Sequence, residues 1–187
     1  MSPLPIKKSL FLLFFNCFIF LLANSQSNSN NKAKKIDLRI DVSAALHLPV
    51  GSFASTHKLG FGIDVSPSYH TFGLLSKVKI AFTYNGGIAY YPGKKETVSG
   101  YPFDYPGYFF IHAFAGGLLI PSNKVDVSLT AGPALGIYDG NARFNLGSRL
   151  GMNYHLKKIL VGPGIIIMKE KGTDPLWAAF AKATISL

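Results

Sequence analysis

The chain is short of cysteine, of acid and of charge in general. Its one cysteine, Cys17, sits in an apolar stretch near the start, so no disulfide can staple the remainder. Phe15 and Asn16 stand before it where a lipid-attachment signal needs a small residue, so Cys17 reads as a passenger thiol in a discarded segment. Charged residues make up 15% of the chain, against about 25% in ordinary soluble domains. That is too little to coat the outside of a soluble barrel. The apolar run Leu10 to Leu22 falls short of the roughly 20 residues a spanning helix needs. No cysteine accompanies the histidines, and no two of them share a strand at zinc-like spacing, so no metal site is expected. No glycine-rich loop cradles phosphate, and no cofactor is expected. The formal net charge is +10, yet no basic cluster interleaved with aromatics is present, so nucleic acid is not expected as a partner.

What the chain does have is alternation. From Ile36 to Leu48, Ile36, Leu38, Ile40, Val42, Ala44, Leu46 and Leu48 fall on one parity. Asp37, Arg39, Asp41, Ser43 and His47 fall on the other, broken by Ala45. Strand side chains alternate between faces, so this segment has one apolar and one polar side. It is longer than the about five or six residues usual in soluble strands, and long enough for the about 9–11 that cross a bilayer when tilted.

Taken in order, residues 1–25 read as a secretory signal: Lys7 and Lys8, then the apolar run, then Ala23-Asn24-Ser25 at the cleavage point. Residues 26–35 are a polar, disordered lead-in, and 36–187 form the folded domain. Seven further strands are predicted: Phe61–Thr71, Lys77–Tyr91, Gly107–Leu119, Lys124–Tyr138, Arg143–Leu156, Ile159–Met168 and Leu176–Leu187. In Gly107–Leu119, Phe109, Ile111, Ala113 and Leu119 are placed outward because that turns His112 inward. Long loops are expected at Pro49–Gly60, Pro92–Pro106 and Lys169–Pro175, and a short one at Asp139–Ala142. Tight turns are expected at Phe72–Ser76, Ile120–Asn123 and Lys157–Lys158. Pro67, Pro133 and Pro163 cannot donate to a ladder and are expected at bulges or strand ends. The fold class is therefore all-β: an eight-stranded, antiparallel, up-and-down transmembrane β-barrel.

The inward parity gathers charge: Asp37, Arg39, Asp41, Asp64, Lys77, Lys79, Asp126, Arg143, Arg149 and Lys182. Eight strands enclose only enough space for side chains to fill, so these charges must pair. A salt-bridged plug is the preferred reading and a narrow ion path the competing one. His47, His70, His112 and His155 share that parity and read as lumen hydrogen-bonding groups. Ser68 and His70 lie two apart on one face, with Asp64 as a third group. Read as chemistry this is a nucleophile and its base; read as structure it is an ordinary polar strand face, which is preferred. The stretch YPFDYPGY, with Tyr101, Phe103, Tyr105 and Tyr108, is either an aromatic girdle at the membrane surface, the preferred reading, or a binding surface.

The signal, the eight alternating strands, the Gly-rich polar faces and the terminal strand resemble small bacterial outer-membrane barrels of the OmpA/OmpX type. The resemblance covers the whole mature chain and is one of pattern rather than of a specific motif. It implies residence in the bacterial outer membrane, contact with outer-membrane lipids and with the barrel-assembly machinery, and a non-catalytic structural or surface-interaction role. An extracellular partner would then meet the Pro92–Pro106 loop. The alternatives are a lipid-modifying enzyme, a narrow channel, or a soluble barrel holding an apolar ligand.

Overall fold

The computed structural model describes residues 40–67, 71–75, 78–98, 100–157, 159–170 and 173–187. The expected signal and lead-in, Asp37, Arg39, Ser68, His70, Lys77 and the side chain of Lys79 lie outside that description. The described elements are β1 (Ile40–Val50), α1 (Ser52–Thr56), β2 (Gly60–Pro67), β3 (Thr71–Leu75), β4 (Val78–Tyr91), β5 (Lys95–Val98), β6 (Tyr101–Asp104), β7 (Tyr108–Ser122), β8 (Val125–Tyr138), β9 (Asn141–Leu156), β10 (Ile159–Lys169) and β11 (Leu176–Ser186).

The sheet runs β2-β1-β11-β10-β9-β8-β7-β4-β3, and β2 also pairs with β4. Because β2 and β3 both lie along β4, they share one position, and the ring closes with eight. The first and last strands seal it, in register from Asp41 opposite Ser186 to Val50 opposite Trp177. Every neighbouring pair is antiparallel. Closure leaves no open edge in the ring, the condition for a sheet to cross a bilayer.

Parity then sorts the side chains. Leu46, Phe61, Phe82, Leu129, Phe144 and Leu146 are each more than half exposed on the outer wall. Their alternate neighbours are sealed inside: Asp41, Ser43 and His47 in β1, Asp64 in β2, His112 in β7 and Thr184 in β11. Exposed apolar surface on this scale suits contact with lipid, not water. As expected, Phe109, Ile111 and Leu119 face outward and His112 faces in.

Several details differ from the sequence reading. The turn expected at Phe72–Ser76 is strand through Leu75. The Pro92–Pro106 loop contains a hairpin of its own, with Lys95 opposite Asp104 and Val98 opposite Tyr101. The Pro49–Gly60 loop contains α1, which lowers Phe53 into the barrel mouth, where it is 2% exposed.

The prolines behave in two ways. Pro67 ends β2 as expected. Pro133 and Pro163 sit inside strands and make no bulge. On the β7 side of Pro133 the ladder stops at His112 opposite Ala134 and resumes at Ala115 opposite Ala131, in the same register. Beside Pro163 it stops at Val161 opposite Tyr154 and resumes at Gly164 opposite Gly151. Each proline lacks a donor on one side only, and the register survives the gap. Glycine precedes both: a Cβ on Gly132 would collide with the Ala113 carbonyl, and one on Gly162 with the Met152 carbonyl.

Candidate functional site

The interior falls into three levels between the turn end, where the start of β1 pairs with the end of β11, and the loop end. At the turn end Asp126 Oδ1 accepts from Asn153 Nδ2 at 2.6 Å, and its Oδ2 lies 2.6 Å from His155 Nε2. Ser186 donates to Asp41 Oδ1 at 2.6 Å. The Ser43 and Thr184 hydroxyls meet at 2.7 Å.

At mid-barrel Asp64, Gly87 and His112 are successive cross-strand neighbours on β2, β4 and β7. A Cβ on Gly87 would strike Asp64 Oδ1, so the glycine opens the space through which Asp64 and His112 reach each other. His112 Nε2 lies 3.3 Å from Asp64 Oδ1. Arg149 Nη1 donates to Asp64 Oδ2 at 2.7 Å, and its guanidinium rests 4.1 Å above the Phe180 ring. Arg149 and Asp64 are 4% and 5% exposed. A buried pair of this kind is tolerated because each charge has a hydrogen-bonded counter-ion.

The residues expected in the lumen are therefore not one network. Asp64 and Arg149 pair, while Asp41 and Asp126 hold separate contacts at the turn end. Lys182 is half-buried opposite Ala45 and makes no ion pair with a described residue. Nor is the filling purely polar. Phe110, Phe114, Ile166, Met168 and Phe180 are buried in the same core as Phe53 and Tyr91. Polar and aromatic groups interleave: His112 lies between the Phe110 and Phe114 rings, and Arg149 lies over Phe180.

At the loop end α1 acts as a stopper. Phe53 packs its ring 4.9 Å from Tyr91 and 5.7 Å from Tyr108. The Tyr91 hydroxyl meets His47 Nδ1 at 2.9 Å. The segment is tied to the next loop by Lys58 N–H to the Pro92 carbonyl and Lys94 N–H to the Thr56 carbonyl, both 2.8 Å. His57 is 6% exposed, with Nδ1 2.8 Å from Thr56 Oγ1. Burial holds its pKa below the ordinary imidazole value, and the Pro106 carbonyl offsets part of that shift.

Beside the stopper lies a cavity of about 550 Å³, walled by α1, the ends of β7, β8 and β9, and Glu170, Thr173, Asp174 and Leu176. Glu170, 7% exposed, is its organising group. Glu170 Oε1 accepts from Tyr108 Oη at 2.7 Å and from Asn145 Nδ2 at 3.1 Å. Arg143 Nη1 stands 3.9 Å from Oε2.

The aromatic stretch divides accordingly. Tyr108, expected to belong to an aromatic girdle or a binding surface, is 2% exposed inside the mouth. Tyr101 and Phe103 are 77% and 47% exposed on the hairpin, and Tyr105 meets the Phe103 ring edge-on at 4.8 Å. Neither α1 nor Glu170 was expected to take part in a site. For Glu170 a signal existed: Ile166, Met168 and Glu170 continue one inward parity past the end of the predicted strand.

Neither a family model nor a curated protein matches the sequence. Solved structures share the fold. The outer-membrane enzyme PagL matches with a TM-score of 0.56 at 13% identity, covering 78% of this chain and 98% of that one. The Yersinia pestis outer-membrane protein Ail, in a phospholipid bilayer nanodisc, matches with a TM-score of 0.54 at 9% identity, covering 81% and 100%. The chain has the fold of the small eight-stranded outer-membrane barrels.

Proposed function

We propose that this outer-membrane barrel is sealed to permeation, performs no chemistry on lipid, and presents its β5–β6 hairpin to an extracellular partner. The observation that carries the reading is the filled lumen, from Phe53 at the loop end through the Asp64–Arg149 pair to Asp126 at the turn end. Such packing among the described residues opposes a continuous path for water and ions. A base acting on membrane lipid needs a lipid-facing site or a lumen pocket open to the outer leaflet. The described histidines lie elsewhere: His47 and His112 are sealed in the lumen, His57 is under the stopper, and His155 is on Asp126. The hairpin pairs only with itself among the described residues and raises Tyr101 and Phe103 into solvent. Aromatic residues in such positions suit protein recognition. The apolar belt is the contact with outer-membrane lipids, and the strands are the substrate of the barrel-assembly machinery.

The test compares lipid A from cells with and without the protein. Identical acylation patterns are expected. A change in acylation that Ser68→Ala or His70→Ala abolishes, with the barrel still folded, would establish an enzyme instead.

A further inference from the structure

The cavity at the loop end has a chemical character opposite to that of the whole chain. The protein has 19 lysines and arginines against 9 acids. Three of those acids, Asp139, Glu170 and Asp174, line this one cavity. Among the described residues its wall holds one cationic side chain, Arg143. We infer that the cavity is a binding site for an organic cation: an alkylammonium or guanidinium group on a short apolar stem.

Glu170 carries the argument. Its Oε1 is satisfied by Tyr108 and Asn145. Its Oε2 receives no hydrogen bond from a described residue, and Arg143 at 3.9 Å is beyond donor reach. The Arg143 side chain is 60% exposed, so it screens this oxygen weakly. A carboxylate oxygen that faces the cavity without a donor from the described residues favours an incoming N–H⁺ group. Phe53, Tyr108 and Tyr138 line the rest of the wall, and aromatic side chains suit an apolar stem and attract ammonium and guanidinium groups. Burial disfavours a positive charge on His57. The volume, about 550 Å³, falls within the roughly 300–1,000 Å³ of small-ligand pockets. Asp139 and Asp174, both exposed, give the rim its negative potential.

The cation could be a free polyamine or a lysine side chain on another protein. Their shared chemistry is what the site recognises, and the inference stands apart from the hairpin reading. The experiment is calorimetric titration of the full chain, folded in maltoside micelles, with spermidine, with the peptide Gly-Lys-Gly, and with hexanoate as the anionic control. Saturable binding of either cation is expected, and no binding of hexanoate. Spermidine alone would point to a free polyamine; the peptide alone would point to a protein side chain. Glu170→Gln keeps an acceptor for Tyr108 and Asn145 and should weaken binding about tenfold or more. Asp174→Asn, at an exposed rim position, should weaken it a few-fold. Arg143→Gln removes the internal competitor and should tighten it, an effect no merely structural role for Arg143 would produce. Circular dichroism of each variant confirms the barrel. The inference is overturned if folded wild type binds neither cation, if Glu170→Gln leaves affinity unchanged, or if hexanoate binds and Arg143→Gln abolishes that binding.

Discussion

Asp64 and Arg149 join opposite walls of the barrel. They come from β2 and β9, four positions apart in a ring of eight, and their 2.7 Å hydrogen bond crosses the lumen. The Phe180 ring beneath the guanidinium and His112 beside the carboxylate complete the cross-brace.

Breaking this brace on one side leaves a buried, unpaired charge. Arg149→Ala should cost about 3–5 kcal/mol in unfolding free energy. The double variant Asp64→Asn/Arg149→Met should be less destabilised than the sum of its single changes, because it removes both charges. Urea unfolding in micelles, followed through the single tryptophan, Trp177, measures this. Strictly additive losses would mean the two residues are not coupled.

Leu129 is 62% exposed on the outer wall. If that wall meets lipid, Leu129→Arg should cost about 2–4 kcal/mol in a bilayer near the midplane. Unfolding titrations in phosphocholine vesicles give the value. A loss near zero would place Leu129 in water and remove the case for a membrane wall.

The docking of α1 should depend on pH through His57. Its pKa in the docked state is below the ordinary value of about 6.5. Above that ordinary value the ring is neutral whether the segment is docked or free, and docking is at full strength. As pH falls toward the docked value, the free segment takes up a proton that the docked one resists, so docking weakens. Amide exchange across Ser52–His57 should therefore speed up from pH 7.5 to pH 5 beyond its intrinsic trend, and His57→Gln should flatten the difference. Faster relative exchange at the higher pH would contradict the assignment.

The hairpin should be dispensable for folding. Lys95–Val98 and Tyr101–Asp104 form a two-stranded sheet outside the barrel ring. Replacing them with a short Gly-Ser link should leave unfolding within about 0.5 kcal/mol of wild type, as for surface changes generally. Loss of the folded band on unheated gels would show that the hairpin braces the mouth.

The sequence made the barrel legible because a two-residue period is a direct consequence of strand geometry. Ile40 through Val50 alternate in burial as their hydrophobicity does, and one such strand implies the closure its edges require. The individual contacts were not legible in the same way. That Asp64 finds Arg149 depends on which strands oppose each other across the ring, a property of the whole circuit. That Tyr108 is buried depends on α1 closing over it, and a five-residue helical turn leaves no periodic trace. Pro133 and Pro163 misled because a missing donor was equated with a bulge. Here the preceding glycines let the neighbouring backbones stay close and the register hold.

The central claim is that the lumen is sealed. Planar-bilayer recording of the purified, folded chain tests it most directly. Wild type should show no steady unitary conductance above the bare membrane. A stable, ion-selective channel in wild type that disappears in Arg149→Ala would contradict it, because the Asp64–Arg149 crossing would then be lining an open path instead of blocking one.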